Sequence, residues 1–500
     1  MEIFNVLAGE IGFSLFGEPL EVSLNWIGRL VRGIISSGVG VGIGIILFSL
    51  ILKVIVLPFD IFQRISLRKQ NIKMRENKDK MEKLQKQYAN DKKMYNQKLM
   101  EIQRQSGMSL LSSCLPMILS MVIFFMAIGA FNAYAKYSTV QNYNTLVENY
   151  NEAVNVYVVD IDDESEYSWE NNTITVKEAD KIIFVKLPIG DETKIAAINA
   201  AYNEATTPTD KAKVLQAEVK AYGNLHANLV IDVAKAEANA EVKAYLGDLT
   251  AADKGYEEKI KDFFYGKGAE GAKVAYENEV KGATKFLWIK NVWATDASYK
   301  HPVLDHEDFL KEIASSSCGS SCSSNGRFIL ETANGKQEIS IDGTGALKVG
   351  NTAVTNVYEK DAYNKVTASL GEQKGQANGY YILIVLSIGT ILLQQFIAMR
   401  SQKEQQKYSS VDGQAASTQK MTMIVMTIVF GVFSFMYSSA FSIYMITSNI
   451  FSLASTLIIN KCVDVSEHKR EQKALQEKFN RRLPRTSNAD KKGNGKNKKK

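Results

Sequence analysis

Lys53 is the one charged residue in the apolar run Val39 to Phe59, within LILKVIVLP at 50–58, and the run closes on Pro58-Phe59-Asp60. It stands seven residues before Asp60, about 10 Å of helix rise inside the end of the run. A charge facing lipid at such depth costs roughly 2.5 to 3.5 kcal/mol. Two readings fit the residues alone: a cation lining a wet cavity, where it attracts acidic or polar groups, or a lysine whose long stem snorkels to the interface. Covalent chemistry finds no support. The chain has no P-loop, no dinucleotide-binding glycine fingerprint, no His-Glu-x-x-His and no nucleophile elbow. The paired acids, or Ser with His, that intramembrane proteolysis needs are missing from the apolar runs.

The elements that must hold Lys53 are apolar helices. Met421 to Asn460 contains no Lys, Arg, Asp, Glu or His over forty residues. As one helix it would measure about 60 Å, twice a hydrocarbon core, so it must cross, turn near Ser438-Ser439-Ala440 and cross back. Met108 to Ala135 and Tyr380 to Met399 are likewise uncharged. With Val39 to Phe59 the expected total is five spans. The mean hydropathy of −0.14 hides them by averaging apolar spans with very polar loops.

Charge then predicts orientation. Residues 61–107 hold 13 Lys/Arg against 5 Asp/Glu, residues 461–500 hold 14 against 5, and residues 136–378 hold 26 against 37. Basic segments stay in the cytoplasm, which puts the N-terminus outside and the C-terminus inside. Met1 to Pro19 lacks a signal-peptide pattern, and this favours a bacterial plasma membrane.

Between the spans, Gln63 to Gln105 has neither Pro nor Gly and breaks only at Tyr88-Ala89-Asn90-Asp91, which predicts a basic helical hairpin with Asn90 or Asp91 as a cap. From Glu21 to Ser36 apolar residues recur at helical spacing beside Trp26, Arg29 and Arg32; an interfacial helix and the first turns of a longer helix are equally good readings. Gly38, Gly40, Gly42 and Gly44 carry Gly-x-x-x-Gly spacings that suggest close helix packing. Strand-like runs at Val154 to Asp160 and Thr173 to Leu187, a helical reading of Thr193 to Gly282, and a hairpin about Asn334-Gly335 predict a mixed domain with its own core. Cys318 and Cys322 could close a small disulfide, Cys114 and Cys462 are expected to stay reduced, and His301 and His306 lack zinc-like spacing with the Cys pair. The tail ends KKGNGKNKKK and reads as a disordered basic arm suited to nucleic acid or to anionic lipids.

In order, these pieces resemble the YidC/Oxa1/Alb3 membrane protein insertase family, in a Gram-positive-like form with a large extracytoplasmic insertion. The resemblance rests on LILKVIVLP at 50–58, YANDKK at 88–93, SSCLPMILSMVIFF at 112–125, FLWIKNVW at 286–293, GYYILIVL at 379–386, QKMTMIVMTIVF at 419–430 and IYMITSNIF at 443–451. The family typically carries Arg where Lys53 stands, which matters because Lys lacks Arg's planar fork. The resemblance implies a hydrophilic intramembrane groove lined by Lys53, Ser49, Gln395, Tyr444 and Thr447. It implies no cofactor and no metal. Its implied partners are nascent membrane proteins, the ribosome through rRNA at the basic tail, the Sec translocon, the signal recognition particle pathway and anionic lipids.

The expected fold is an all-α polytopic membrane core, five transmembrane helices plus a cytoplasmic helical hairpin, with an inserted α+β extracytoplasmic domain. Its segments are an outer N-terminus at 1–38, spans at 39–59, 108–135, 379–399, 421–437 and 441–460, the hairpin at 60–107, the inserted domain at 136–378, a cytoplasmic loop at 400–420 and the tail at 461–500. The competing class is a transporter or channel using Lys53 as a substrate counter-ion, which would predict inverted repeats and polar residues on several helices.

Overall fold

A computed structural model describes residues 19, 22, 24, 26–35, 38–105, 111–161, 164–222, 228–313, 327–332, 335–341, 347–349, 352–355, 357–401 and 414–482. Cys318, Cys322 and the KKGNGKNKKK end lie outside the described residues. The chain forms two compact units: a large one from Met1–Ser49, Phe125–Ser387 and Phe430–Met445, and a small one from Leu50–Phe124, Ile388–Val429 and Ile446–Lys500. The protein is mostly helical, with several apolar helices suited to a membrane and two small antiparallel sheets.

Among the described residues, three helices are long and apolar enough to cross a bilayer: Val41–Gln63, Ile382–Arg400 and Ser439–Phe479. A shorter apolar segment covers Met423–Met436. These belong to α2 (Val41–Glu76), α15 (Ile382–Ser401), α16 (Gln414–Met436) and α17 (Ser439–Arg482). The uncharged run after Met108 opens α5 (Leu111–Asn155).

In the large unit α1 (Trp26–Ile35) is a helix of its own, and Gly38 and Gly40, at φ +83° and +82°, make the bend between it and α2. The glycine run is therefore a turn at Gly38 and Gly40, a seat for a ring at Gly42 and, at Gly44, the close helix packing that the spacing suggests, here of α2 on α1. A Cβ on Gly42 would sit 1.9 Å from the Phe286 ring, and one on Gly44 would sit 2.8 Å from the Ile35 backbone.

The α5 helix runs for 45 residues, about 67 Å, and so leaves the apolar run and enters the mixed domain unbroken. Val140, Tyr143, Val147, Tyr150 and Val154 recur at three- and four-residue steps, and all are buried. The strand expected at Val154 to Asp160 is instead the end of this helix, followed by one bridge from Val158 to Ile183. Helical periodicity outweighed the β-branched composition there. Around α5 pack the antiparallel sheet β1–β2–β3–β4 (Glu166–Glu170, Thr173–Lys177, Ile183–Pro188, Asn228–Ile231) and helices α6 (Glu192–Glu204), α7 (Pro208–Tyr222), α8 (Val233–Ala238), α9 (Ala240–Leu246) and α10 (Tyr256–Ala275). The strand β4 interrupts the stretch that composition assigns wholly to helix, because its partner β3 supplies the ladder. A second sheet follows in the order β5–β6–β7–β8 (Arg327–Thr332, Gly335–Ile341, Leu347–Val349, Thr352–Thr355), its first hairpin closing at Thr332 and Gly335. Short helices α11 (Lys281–Thr284), α12 (His306–Ile313), α13 (Lys360–Val366) and α14 (Gly371–Gly375) complete the unit.

A tyrosine cluster fixes α5 to the chain that returns toward α15. The Tyr143 hydroxyl donates to the Val357 carbonyl at 2.6 Å, Tyr358 donates to Asn144 Oδ1 at 2.7 Å, and Tyr363 donates to the Leu304 carbonyl at 2.8 Å. Burial pushes the Tyr143 and Tyr363 phenols upward. His306 Nε2 lies 2.8 Å from the Tyr358 carbonyl beside the Tyr363 ring.

In the small unit α3 (Lys78–Gln87) and α4 (Lys92–Gln105) pair through Met81, Tyr95 and Leu99, with Leu84 and Tyr88 alongside. Asp91 caps α4, its Oδ1 accepting from Met94 N at 2.9 Å. The basic tail is not disordered from Lys461 onward: α17 carries the last apolar run through Arg482 as one helix. Lys, Glu, Gln and Leu favour helix once an anchored turn has removed the nucleation cost.

Helix α10 crosses α5 at Gly271, where a Cβ would stand 2.6 Å from the Asn149 carbonyl oxygen and 2.7 Å from the Ala153 methyl. Gly271→Ala is expected to destabilise the inserted domain by about 1 to 3 kcal/mol. The same change at Gly266, whose Cβ meets nothing within 4 Å, should not; thermal melts of the two variants decide it. Burial, ahead of the opposing Tyr358 hydrogen bond, lowers the His306 pKa. A depressed histidine leaves the unfolded chain holding more protons, so this stabilisation is full above the unfolded value of about 6.5 and declines as pH falls below it. His306→Gln should flatten that decline, and the difference between wild-type and variant melting curves from about pH 7.5 to 5 measures it.

Candidate functional site

Two polar assemblies stand out, one in each unit. In the large unit the stretch FLWIKNVW lies between α11 and α12 and continues into Ala294–Ala297. Its groups are consumed by the ends of the apolar helices. Asp296, 1% exposed, places Oδ1 2.7 Å from Tyr380 N and 3.2 Å from Tyr381 N, and Oδ2 2.6 Å from Leu383 N. These donors open α15, and a carboxylate at a helix N-terminus satisfies both its unpaired N–H groups and its dipole. Gly379 is required for the fit, since a Cβ there would lie 1.9 Å from Asp296 Oδ1.

Asn378, fully buried, cross-links the same loop: Nδ2 donates to the Asn291 and Thr295 carbonyls, both at 2.9 Å, and Oδ1 accepts from Asn291 N at 2.7 Å. The turn between α16 and α17 joins in. Ser439 N donates to the Ala294 carbonyl at 2.9 Å and Ala440 N to the Val292 carbonyl at 2.8 Å. Thr295 Oγ1 donates to the Tyr437 carbonyl at 3.0 Å, and the Trp293 ring lies 4.6 Å from Tyr134 of α5. One loop thus ties together the ends of α15, α16 and α17 and the flank of α5. Sequence reasoning quoted this stretch for its aromatics and missed Asp296 and Asn378. The available signal was an Asp and an Asn placed at the margins of an apolar run.

Of the five groove candidates, Ser49 and Tyr444 belong to the large unit and both are buried. Ser49 Oγ donates to the Ile45 carbonyl at 2.6 Å, a turn back on its own helix, and the Tyr444 ring packs 5.8 Å from Phe131. Lys53, Gln395 and Thr447 belong to the small unit and all are half-buried. Gln395 Oε1 accepts from Thr427 Oγ1 of α16 at 3.1 Å, and Asn449 Nδ2 donates to Thr390 Oγ1 at 3.3 Å. Thr427, Asn449 and Thr390 thereby add polar contacts between apolar helices that periodicity alone does not reveal. No cluster of three or more His, Cys, Asp or Glu suited to a metal occurs among the described residues. The small unit's polar set suits electrostatic attraction and hydrogen bonding rather than bond making.

The family model 60Kd inner membrane protein matches residues 34–173 and 351–468, just over half of the chain. The chain belongs to this family. The match overlaps all three helices that, among the described residues, are long and apolar enough to cross a bilayer, and it omits residues 174–350, which hold most of the mixed domain. Proteins named membrane protein insertase YidC are similar to it: that of Fusobacterium nucleatum is 35% identical over 88 residues, covering 18% of this chain and 41% of that protein. That of Clostridium perfringens is 32% identical over 114 residues, 22% and 46%. The Caldanaerobacter subterraneus protein is 27% identical over 114 residues, 23% and 53%. The chain spans about half the length of these relatives or less. No solved structure matches.

Removing the Asp296 carboxylate leaves the Tyr380 and Leu383 amides without their acceptor, while Tyr381 N keeps the Asp296 backbone carbonyl at 3.1 Å. Asp296→Ala should therefore destabilise the protein by about 3 kcal/mol or more. Asp296→Asn, which keeps one acceptor oxygen, should fall between it and wild type, as read from thermal aggregation in detergent.

Proposed function

We propose that this protein is a membrane protein insertase that inserts newly made membrane proteins and helps them fold through a hydrophilic notch in the membrane. The observation that carries the reading is a half-buried cation, Lys53, within an apolar helix of a chain belonging to the 60Kd inner membrane protein family. The relatives named above bear the insertase name in print, and the notch is the physical form that such an activity takes here.

Moving a short polar segment across hydrocarbon is slow because its charges and amide groups must shed water. A wet notch partway through the bilayer lowers that barrier, and Lys53 attracts acidic or carbonyl groups of the client. Gln395, Thr447 and Thr427 offer neutral hydrogen-bonding partners. Ser49 and Tyr444, the other two candidates, stand one turn earlier on the same helices and are buried, so they pack against protein rather than water. The client's apolar segment then partitions into lipid, and its own hydrophobicity supplies the free energy. The protein spends no nucleotide and forms no covalent intermediate.

Five spans, with the N-terminus outside and the C-terminus in the cytoplasm of a bacterial cell, are part of this proposal. They place the basic α3–α4 hairpin and the basic end of α17 on the side where ribosomes deliver chains. Proposed partners are nascent membrane proteins, rRNA, the Sec translocon, the signal recognition particle pathway and anionic lipids.

Lys53→Ala should slow insertion of single-span clients with short acidic tails roughly tenfold or more, the effect of about 1.4 kcal/mol of lost barrier stabilisation. Lys53→Arg should retain activity. The measurement is client insertion in a strain depleted of its own insertase and rescued by each variant; normal rescue by Lys53→Ala would reject the role of the cation.

A further inference from the structure

The loop that ties the helix ends also carries a tip whose composition its hydrogen bonds do not explain. Phe286 N donates to the Ile289 carbonyl and Ile289 N to the Phe286 carbonyl, both at 2.9 Å, closing a two-residue turn over Leu287 and Trp288. Leu287 has φ +52°, in the left-handed region, at the position that Gly takes in a type II′ turn. It is also 61% exposed. An apolar residue therefore stands where backbone geometry disfavours it and where it buries little against the protein. Its neighbour Trp288 encloses an indole Nε1 with no acceptor.

The surroundings say what medium covers this tip. Phe286 packs so closely on Gly42, in the first turn of α2, that no Cβ would fit between them. The tip is thus level with the start of an apolar helix long enough to cross a bilayer. Tyr380, 59% exposed, sits two residues before α15 begins, at the head of another such helix. Exposed Lys285 and half-buried Lys290 flank the turn. Aromatic and apolar residues bordered by lysines at the ends of membrane helices mark the headgroup boundary, where rings and stems sit in the apolar layer and amines reach phosphates.

We propose that Leu287 forms a lipid-dipping tip on this turn, backed by the half-buried Trp288 and seated at the boundary between headgroups and acyl chains beside the first turn of α2. On the topology proposed above this is the outer leaflet. The tip fixes the depth of the loop that carries Asp296, and so holds the tied helix ends at the membrane surface.

The test uses the full chain with Cys114, Cys318, Cys322 and Cys462 replaced by Ser, reconstituted in phosphatidylcholine vesicles. Nitroxides are attached at Leu287→Cys, at Lys285→Cys and, as a water-exposed control, at Tyr245→Cys on the inserted domain. The label at 287 should collide several-fold more often with oxygen, relative to a nickel chelate, than the label at 245. The label at 285, in a position without backbone strain, should report an intermediate, headgroup-depth ratio. Chelate access at 287 and 285 equal to that at 245 overturns the proposal. Shielding of both from oxygen and chelate alike would place a protein surface there instead, and overturns it as well.

Discussion

A single buried carboxylate sets the terms for much of this structure. Asp296 supplies acceptors to three backbone N–H groups at the head of α15, which otherwise face either lipid or packed protein. Water can satisfy such donors at an exposed helix end, but not in a low-dielectric setting. The loop around it meets the same need for its neighbours, since the carbonyls of Val292 and Ala294 accept the first amides of α17. The apolar helices are thus closed at these ends by protein groups rather than by solvent. This explains why a stretch rich in Phe, Trp and Val also contains Asn291, Thr295 and Asp296. The apolar members seal the site, and the polar members meet its hydrogen-bonding demand.

The helix α5 makes a large insertion compatible with a family core. It continues without a break from the uncharged run into the mixed domain, so the domain grows on a helix that is already anchored. The stripe Val140, Tyr143, Val147, Tyr150, Val154 serves as the spine of that domain's core. The returning chain is fastened to the spine by Tyr358 and Tyr363 before it reaches Asn378 and α15. The part of the chain that the family model omits is therefore held between two segments that it includes.

What the sequence revealed follows from the range of each signal. Charge-free runs, a lone lysine within one of them and a basic segment without Pro or Gly are local features, and they identified the apolar helices and the hairpin directly. The three- and four-step stripe on α5 was present in the letters, but only its last member, Val154, fell within a run that was read, and that run resembled strand. The loop holding Asp296 has no period at all: its order comes from amides more than 80 residues away in sequence, and no local pattern records such a pairing. The alternating glycines were legible only in part: Gly44 packs α2 against the backbone of α1. Their spacing matched a helix-packing motif, while Gly38 and Gly40 answer to backbone dihedrals and Gly42 to one distant ring.

The groove candidates divide in a way that bears on how a cation could act. On α2, Ser49 is sealed and its hydroxyl is bonded to its own helix, whereas Lys53, a turn later, is half-open. On α17, Tyr444 is buried among aromatic rings and Thr447, a turn later, is half-open. In both helices accessible polarity begins within one turn of a closed position. In the proposed function, a polar peptide drawn to Lys53 meets closed positions one turn earlier on α2 and on α17. On that proposal, accessible polarity limited in this way suits entry to a fixed depth over conduction, because a channel needs accessible polar groups along its whole length. It also gives the compact ammonium of lysine a sufficient role: attraction at one depth requires a charge, and not the bidentate geometry that only arginine supplies.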